Sequence, residues 1–134
     1  MANSHQLLLT VFPRTYAIAR FPPHADIPFS YSGSSFYSVS KTEAELSLVC
    51  EESLLPPDIA AERGRRLIRV ESTLAFSLTG IVASLAVPLA EASVSIFAVS
   101  TYDTDYLLVN DRDLDSAIAA LERVGHKVQR RTKE

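Results

Sequence analysis

Asp103 and Asp105 flank Thr104 between two apolar runs, and Ser77 and Gly80 stand just ahead of a third run that extends to Leu89. Leu78, Ile81, Val82, Leu85 and Leu89 recur at helical spacing, with Ser77 placed as an N-cap. The first turn of such a helix carries unpaired N–H groups at the positive end of its dipole, and a carboxylate docks there. Asp103 and Asp105 would receive an ammonium, so the two places together suit a small zwitterion. Each residue also has a plainer role. Ser77 is a cap, Gly80 allows close helix-to-sheet packing, and Asp103, Asp105, Glu43 and Glu45 are good turn residues.

No comparable set supports catalysis. His5, His24 and His126 are scattered without metal-ligand spacing, and no GxSxG, P-loop or GxGxxG string occurs. Cys50 lies beside Glu51 and Glu52, whose charges raise rather than lower a thiol pKa. The expectation is a protein that is not an enzyme, with no catalytic residues, no metal and no cofactor. Phe29, Tyr31 and Phe36, around Gly33, are read as packing over a groove or core.

Composition agrees. The chain has 134 residues, 47% of them hydrophobic and 22% charged, enough to build a core. Thirteen Lys plus Arg against 16 Asp plus Glu give a net charge of −3, which lacks the positive field that nucleic acid requires. The basic run Lys127, Arg130, Arg131 and Lys133 is read as a solvated tail. One cysteine fits a reducing compartment. Neither a signal-like start nor a run of about 20 apolar residues is found, so a cytoplasmic protein with no membrane partner is expected.

The elements that must position the acids are best read in the second half. RLIRV (66–70) is a short strand; a helix follows from Ser77, with Pro88 removing the hydrogen bond to the Ser84 carbonyl. VSIFAVST (94–101) and DYLLV (105–109) should form a hairpin, and both faces of these strands should be covered. A helix from Asp111 to Val124 has the core stripe Leu114, Ala117, Ile118, Leu121 and Val124, stops at Gly125, and leads into a last strand, HKVQR (126–130). That order is the split βαβ unit, four antiparallel strands carrying two helices.

The first half is less regular. QLLLTVF (6–12) and TYAIARF (15–21) read as two strands separated by Pro13 and Arg14, and the proline-rich PPHADIPFSYSG (22–33) admits only a loop or short helix. AAERGRR (60–66) reads as a connection with Gly64 at the boundary. Residues 36–49 align without a gap on 96–109 at an offset of 60, with Val39, Ser40, Leu48 and Val49 matching Val99, Ser100, Leu108 and Val109. The expected fold is α+β: two tandem ferredoxin-like (βαββαβ) modules, 1–64 irregular and 65–134 regular, packed against each other. A module of that size is marginal alone.

SLTGIVASLAVPLAEASVSIFAVSTYDTDYLLV (77–109) and VSKTEAELSLVCEE (39–52) resemble the ACT domain family. More narrowly they resemble small bacterial proteins of two tandem ACT-like modules, related to the regulatory ACT pairs of aspartate kinases and the arginine sensor of the TOR pathway. The resemblance implies a regulatory module that binds a small molecule, usually an amino acid, at the interface of its two modules. It places the ligand-binding residues in the loop before the first helix and in the hairpin. Carried over, these are Ala75, Phe76, Leu78, Thr79, Gly80, Ile81, Ser100, Asp103 and Asp105. Leu78 stands where the arginine sensor has an acid, so arginine itself is not carried over. No kinase, dehydrogenase or hydroxylase segment accompanies the modules, so a regulator of this kind is expected either to act on another polypeptide, a regulated protein partner, or to have lost its target. The alternative function is an interaction or assembly module with a vestigial pocket, using strand edges to pair as a homodimer or with another chain.

Overall fold

The computed structural model describes residues 6–71 and 80–132. Its elements are β1 (Leu8–Phe21), β2 (Ser38–Lys41), β3 (Leu46–Glu51), β4 (Ala61–Val70), α1 (Ile81–Glu91), β5 (Ile96–Ser100), β6 (Asp105–Asn110), α2 (Leu114–Arg123) and β7 (Lys127–Arg130). They divide into two compact units. One takes the described residues up to Pro13 together with those from Arg66 onward; the other is Arg14–Arg65.

The first of these carries the two helices. Leu9 and Val11 of β1, Ile68 and Val70 of β4, and Leu107 and Val109 of β6 alternate along their strands and meet Leu85, Leu89, Leu114, Ala117 and Leu121 of the helices in one core. In this unit β4 lies between β1 and β6, and β5 pairs with β6 at the end of the order. Here the structure departs from the sequence expectation. The last strand, β7, does not close on β4. It pairs in parallel with β1, matching Leu9 to Val128 and Val11 to Arg130, so the N-terminal strand occupies the position that β7 would take in a self-contained unit.

The second unit pairs β3 with β1 and β2, both antiparallel. Its core contains Ala17, Ala19, Phe21, Leu46, Leu48, Cys50 and Leu55. The proline-rich stretch is without helix, as expected, and Phe29 and Tyr31 pack against this core, with Phe36 also buried.

Several elements differ from expectation for local reasons. Residues 6–21 hold one 14-residue strand rather than two. Pro13 is tolerated because the β7 register ends at Val11 and the β3 register begins at Tyr16, so the missing N–H falls between ladders. Residues 61–66 form the start of β4 instead of a connection, and Gly64 within it adopts φ +69 while donating its N–H to Glu52 Oε1 at 2.9 Å. Val124 does not complete the α2 stripe: it follows the helix and is 45% exposed, while Ala120 is buried instead. Both faces of β6 are covered, since consecutive residues Leu107, Leu108 and Val109 are all buried, but β5 is largely exposed. The basic run is not a tail. Lys127 and Arg130 lie in β7, and the Arg131 N–H donates to the Val11 carbonyl at 2.9 Å; Lys133 lies outside the described residues.

The expected repeat also changes register. The first hairpin closes with Thr42 N–H donating to the Glu45 carbonyl, and the second with Thr101 N–H donating to the Thr104 carbonyl, each at 2.8 Å. In each, the threonine hydroxyl also bonds across the turn. Thr42 therefore corresponds to Thr101, an offset of 101 − 42 = 59 rather than 60. A one-residue slip exchanges the faces of every strand residue, and it sets Leu48 on Leu107 and Val49 on Leu108.

Candidate functional site

Gly80 precedes α1 in a left-handed conformation, φ 79° and ψ 2°, which a side chain would strain. Its carbonyl accepts the Ser84 N–H at 2.9 Å, the first bond of the helix. The next N–H groups along α1 have no partner earlier in the helix and form its positive end. The Ile81 side chain is buried. Ala75, Phe76, Leu78 and Thr79, with Ser77, lie outside the described residues.

Ser100 and Asp105 are brought together. They are cross-strand partners in the β5–β6 register, and Ser100 Oγ donates to Asp105 Oδ1 at 2.6 Å. Asp105 is half-buried, whereas Asp103 is exposed in the turn and is not drawn into this pair by any described hydrogen bond. What fixes the turn is Thr104. Its backbone carbonyl and N–H both engage Thr101, and its buried hydroxyl donates to the Val70 carbonyl at 2.9 Å. Val70 ends β4, and the segment leading to Gly80 begins one residue later. The β5–β6 turn is therefore anchored to the end of β4 at Val70. Thr104 was not among the expected residues; a threonine closing a Thr-x-x-Thr turn was its only sequence signal.

A charged cluster adjoins this point. Glu71 Oε2 accepts from Arg69 Nε at 3.1 Å and Arg69 Nη2 at 2.9 Å, and the Glu71 N–H donates to the Leu8 carbonyl. Burial alone would raise the Glu71 carboxyl, but hydrogen bonds from Thr10 and Arg69 and the charges of Arg69 and Arg131 outweigh it and hold the pKa below its usual value. The guanidinium carbons of Arg69 and Arg131 lie 4.9 Å and 4.5 Å from the centre of the Phe12 ring. Sequence reasoning missed this cluster because its members come from β1, the end of β4 and the residue after β7.

Elsewhere, buried Glu51 accepts the Ser35 N–H at 2.7 Å and its hydroxyl at 2.8 Å, with Tyr16 Oη 2.6 Å from Ser35 Oγ. This network pins the loop ahead of β2. Burial, reinforced by the Glu51 charge, raises the Cys50 thiol, in keeping with an unreactive cysteine. Among the described residues no His, Cys, Asp and Glu group has a metal-holding arrangement.

A family model described as an ACT domain matches residues 60–123, and a second, described as an N-terminal domain, matches 14–58. The chain belongs to the ACT domain family. A crystal structure of a protein from Agrobacterium tumefaciens is 33% identical, superposes with a TM-score of 0.90, and is matched over 98% of both chains. The bovine cytosolic arginine sensor for mTORC1 subunit 1 is 34% identical over 103 residues, 69% of this chain and 31% of that protein. The chain thus spans about a third of the length of the curated sensors it matches. E. coli aspartokinase III, solved in complex with aspartate and ADP, shares the fold with a TM-score of 0.61 at 11% identity, over 87% of this chain and 32% of that one. The ferredoxin-like α+β class expected from the sequence is the class observed, and the similar proteins include an arginine sensor and a regulatory subunit of aspartate kinase. No helix among the described residues is long and apolar enough to cross a membrane.

Proposed function

We propose that the protein is a non-catalytic regulatory module that binds an amino acid. The site is assigned to Ala75, Phe76, Leu78, Thr79, Gly80 and Ile81 and to Ser100, Asp103 and Asp105, with the start of α1 receiving the carboxylate and the hairpin acids the ammonium. The observation that carries this reading is the Thr104–Val70 hydrogen bond, which ties the acid-bearing turn to the strand end from which the loop to α1 departs. Sensor relatives called cytosolic support a cytoplasmic setting. The division into tandem modules 1–64 and 65–134 belongs to the same proposal and is supported by the turn geometry that the two hairpins share.

Calorimetry and thermal shift against the twenty amino acids test it. A ligand at ~100 times its dissociation constant should stabilise the fold by ~2.7 kcal/mol. Asp105→Ala should weaken binding at least about tenfold, which is ~1.4 kcal/mol. Silence with all twenty overturns the sensor reading; binding unchanged by Asp105→Ala removes the site assignment alone.

The exposed β5 edge favours a second reading, an assembly module whose dimerisation ignores small molecules.

A further inference from the structure

We propose that the outer edge of β7 is a docking site for an extended acidic segment of a partner protein, which adds to the sheet as a further antiparallel strand. The inference goes beyond amino-acid binding and does not depend on it. The basic residues singled out in the sequence, Lys127, Arg130 and Arg131, lie on this strand or directly after it. Among the described residues β7 pairs only with β1, so its other edge is open.

The backbone phase fixes what that edge offers. The Lys127 N–H donates to the Leu7 carbonyl and the Arg131 N–H to the Val11 carbonyl, each at 2.9 Å. Residues 127, 129 and 131 thus turn their backbone groups toward β1, and Val128 and Arg130 turn theirs outward. The side chains alternate as well. Val128 is half-buried against the core, and Arg130, on the same face, lies 3.5 Å from Asp115 Oδ1 in an exposed pair. Such a pair contributes little, so a second carboxylate can replace Asp115. Lys127, Gln129 and Arg131 share the opposite face, where Gln129 Nε2 donates to Thr10 Oγ1 at 2.9 Å.

The local field already favours a carboxylate. The charges of Arg69 and Arg131 help hold the Glu71 carboxyl below its usual pKa in spite of burial. Arg69, Lys127, Arg130 and Arg131 together face two described carboxylates, Glu71 and Asp115, although the chain as a whole carries −3. Lys and Arg on an edge turn away strands that lack acids, a second copy of β7 included, because like charges would then meet. An acidic strand is what this edge admits. Nucleic acid cannot match the alternating N–H and C=O groups of Val128 and Arg130.

Antiparallel pairing places Glu-Glu-Thr-Val-Glu opposite Arg131, Arg130, Gln129, Val128 and Lys127 in that order. A fluorescein-labelled peptide of that sequence should bind the full chain saturably, and its Lys-Lys-Thr-Val-Lys counterpart at least about tenfold more weakly. In amide exchange, protection should rise at Val128 and Arg130 and stay unchanged at Lys127 and Gln129. Methylating the nitrogens of the peptide's Val and second Glu removes its two ladder donors and should cost at least about tenfold in affinity; methylating its first Glu and Thr instead should cost little. Lys127→Glu combined with Arg130→Glu should reverse the preference between the two peptides, and should that variant fail to fold, the methylated pair tests the same ladder on the parent chain. Absence of saturable binding, equal loss from the two methylation patterns, or protection arising elsewhere overturns the proposal. Oligothymidylate binding more tightly than the acidic peptide overturns it too, and assigns the basic edge to nucleic acid.

Discussion

Pro88 lies inside α1 and cannot donate to the Ser84 carbonyl, and that carbonyl instead lies 3.0 Å from His126 Nε2. The other ring nitrogen, Nδ1, accepts the Leu7 N–H at 3.1 Å, so Nε2 carries the proton and donates to Ser84. One buried imidazole thus satisfies two backbone groups far apart in sequence. The orphaned carbonyl was legible from Pro88, but its partner 42 residues away was not, and His126 read as an unremarkable scattered histidine. His126→Leu should destabilise the fold by about 3 kcal/mol, since two buried backbone groups lose their partner. Pro88→Ala returns an N–H to Ser84, so in that background the loss should shrink by at least ~1 kcal/mol. Additive losses in denaturant titrations of the four-variant cycle would break the link between proline and histidine. Glu71 makes a separate, pH-dependent contribution. Its folded pKa lies below the ordinary value of 4.5, so its stabilisation is fully present above that pH and is lost as pH falls through the lowered folded value. Glu71→Gln should therefore lower stability at neutral pH and flatten the acid limb below about pH 4.5, as read by urea unfolding at several pH values.

At the level of elements, hairpins and helices were legible because their periodicity is local, while register and pairing were not. The gapless offset of 60 favoured identical residues such as Val39 and Val99, yet the turn bonds require 59. Strand residues of similar character tolerate a one-place slip in sequence comparison, whereas a side chain bonding across a turn does not. The signal lay in Thr42 and Thr101, each opening its turn, and was outweighed by apolar matches. Pro13 misled in the same way: a proline ends a strand only where its N–H is needed, and β1 changes partners around it. The hairpin half of the candidate site, Ser100 with Asp105, was legible because turn chemistry is local; Thr104 acquires its meaning only from Val70, brought beside it by the sheet. Thr104→Val keeps the size of the side chain and leaves the buried Val70 carbonyl without its donor. It should cost about 1–3 kcal/mol in chemical denaturation. Faster amide exchange at Glu71 and Tyr106 should accompany that loss, and protection equal to the parent's would show that the turn does not depend on this bond.

At the scale of the whole molecule, sequence order and physical unity diverge. The expected boundary near Gly64 gives residues 6–13 to the first module, but Leu9 and Val11 are 0% and 1% exposed in the same core as Leu85, Leu107 and Leu121. Their strand also carries β7, through the parallel register from Leu8–Lys127 to Val11–Arg130. A fragment of residues 65–134 therefore lacks two core side chains, each worth about 2–5 kcal/mol when truncated, and the strand on which its last element pairs. Stability for a body of that size is only about 3–10 kcal/mol, so the missing pieces amount to most of it. The fragment should show no cooperative thermal transition and should expose apolar surface to a dye such as ANS. Supplying residues 1–13 as a separate peptide should restore cooperative melting, with a midpoint that rises with peptide concentration because the peptide binds only the folded form. The same peptide with Leu9→Asp and Val11→Asp should be inert. Cooperative folding of 65–134 alone would mean that β7 can pair with β4 after all, and that insertion of β1 is an elaboration of a self-sufficient unit.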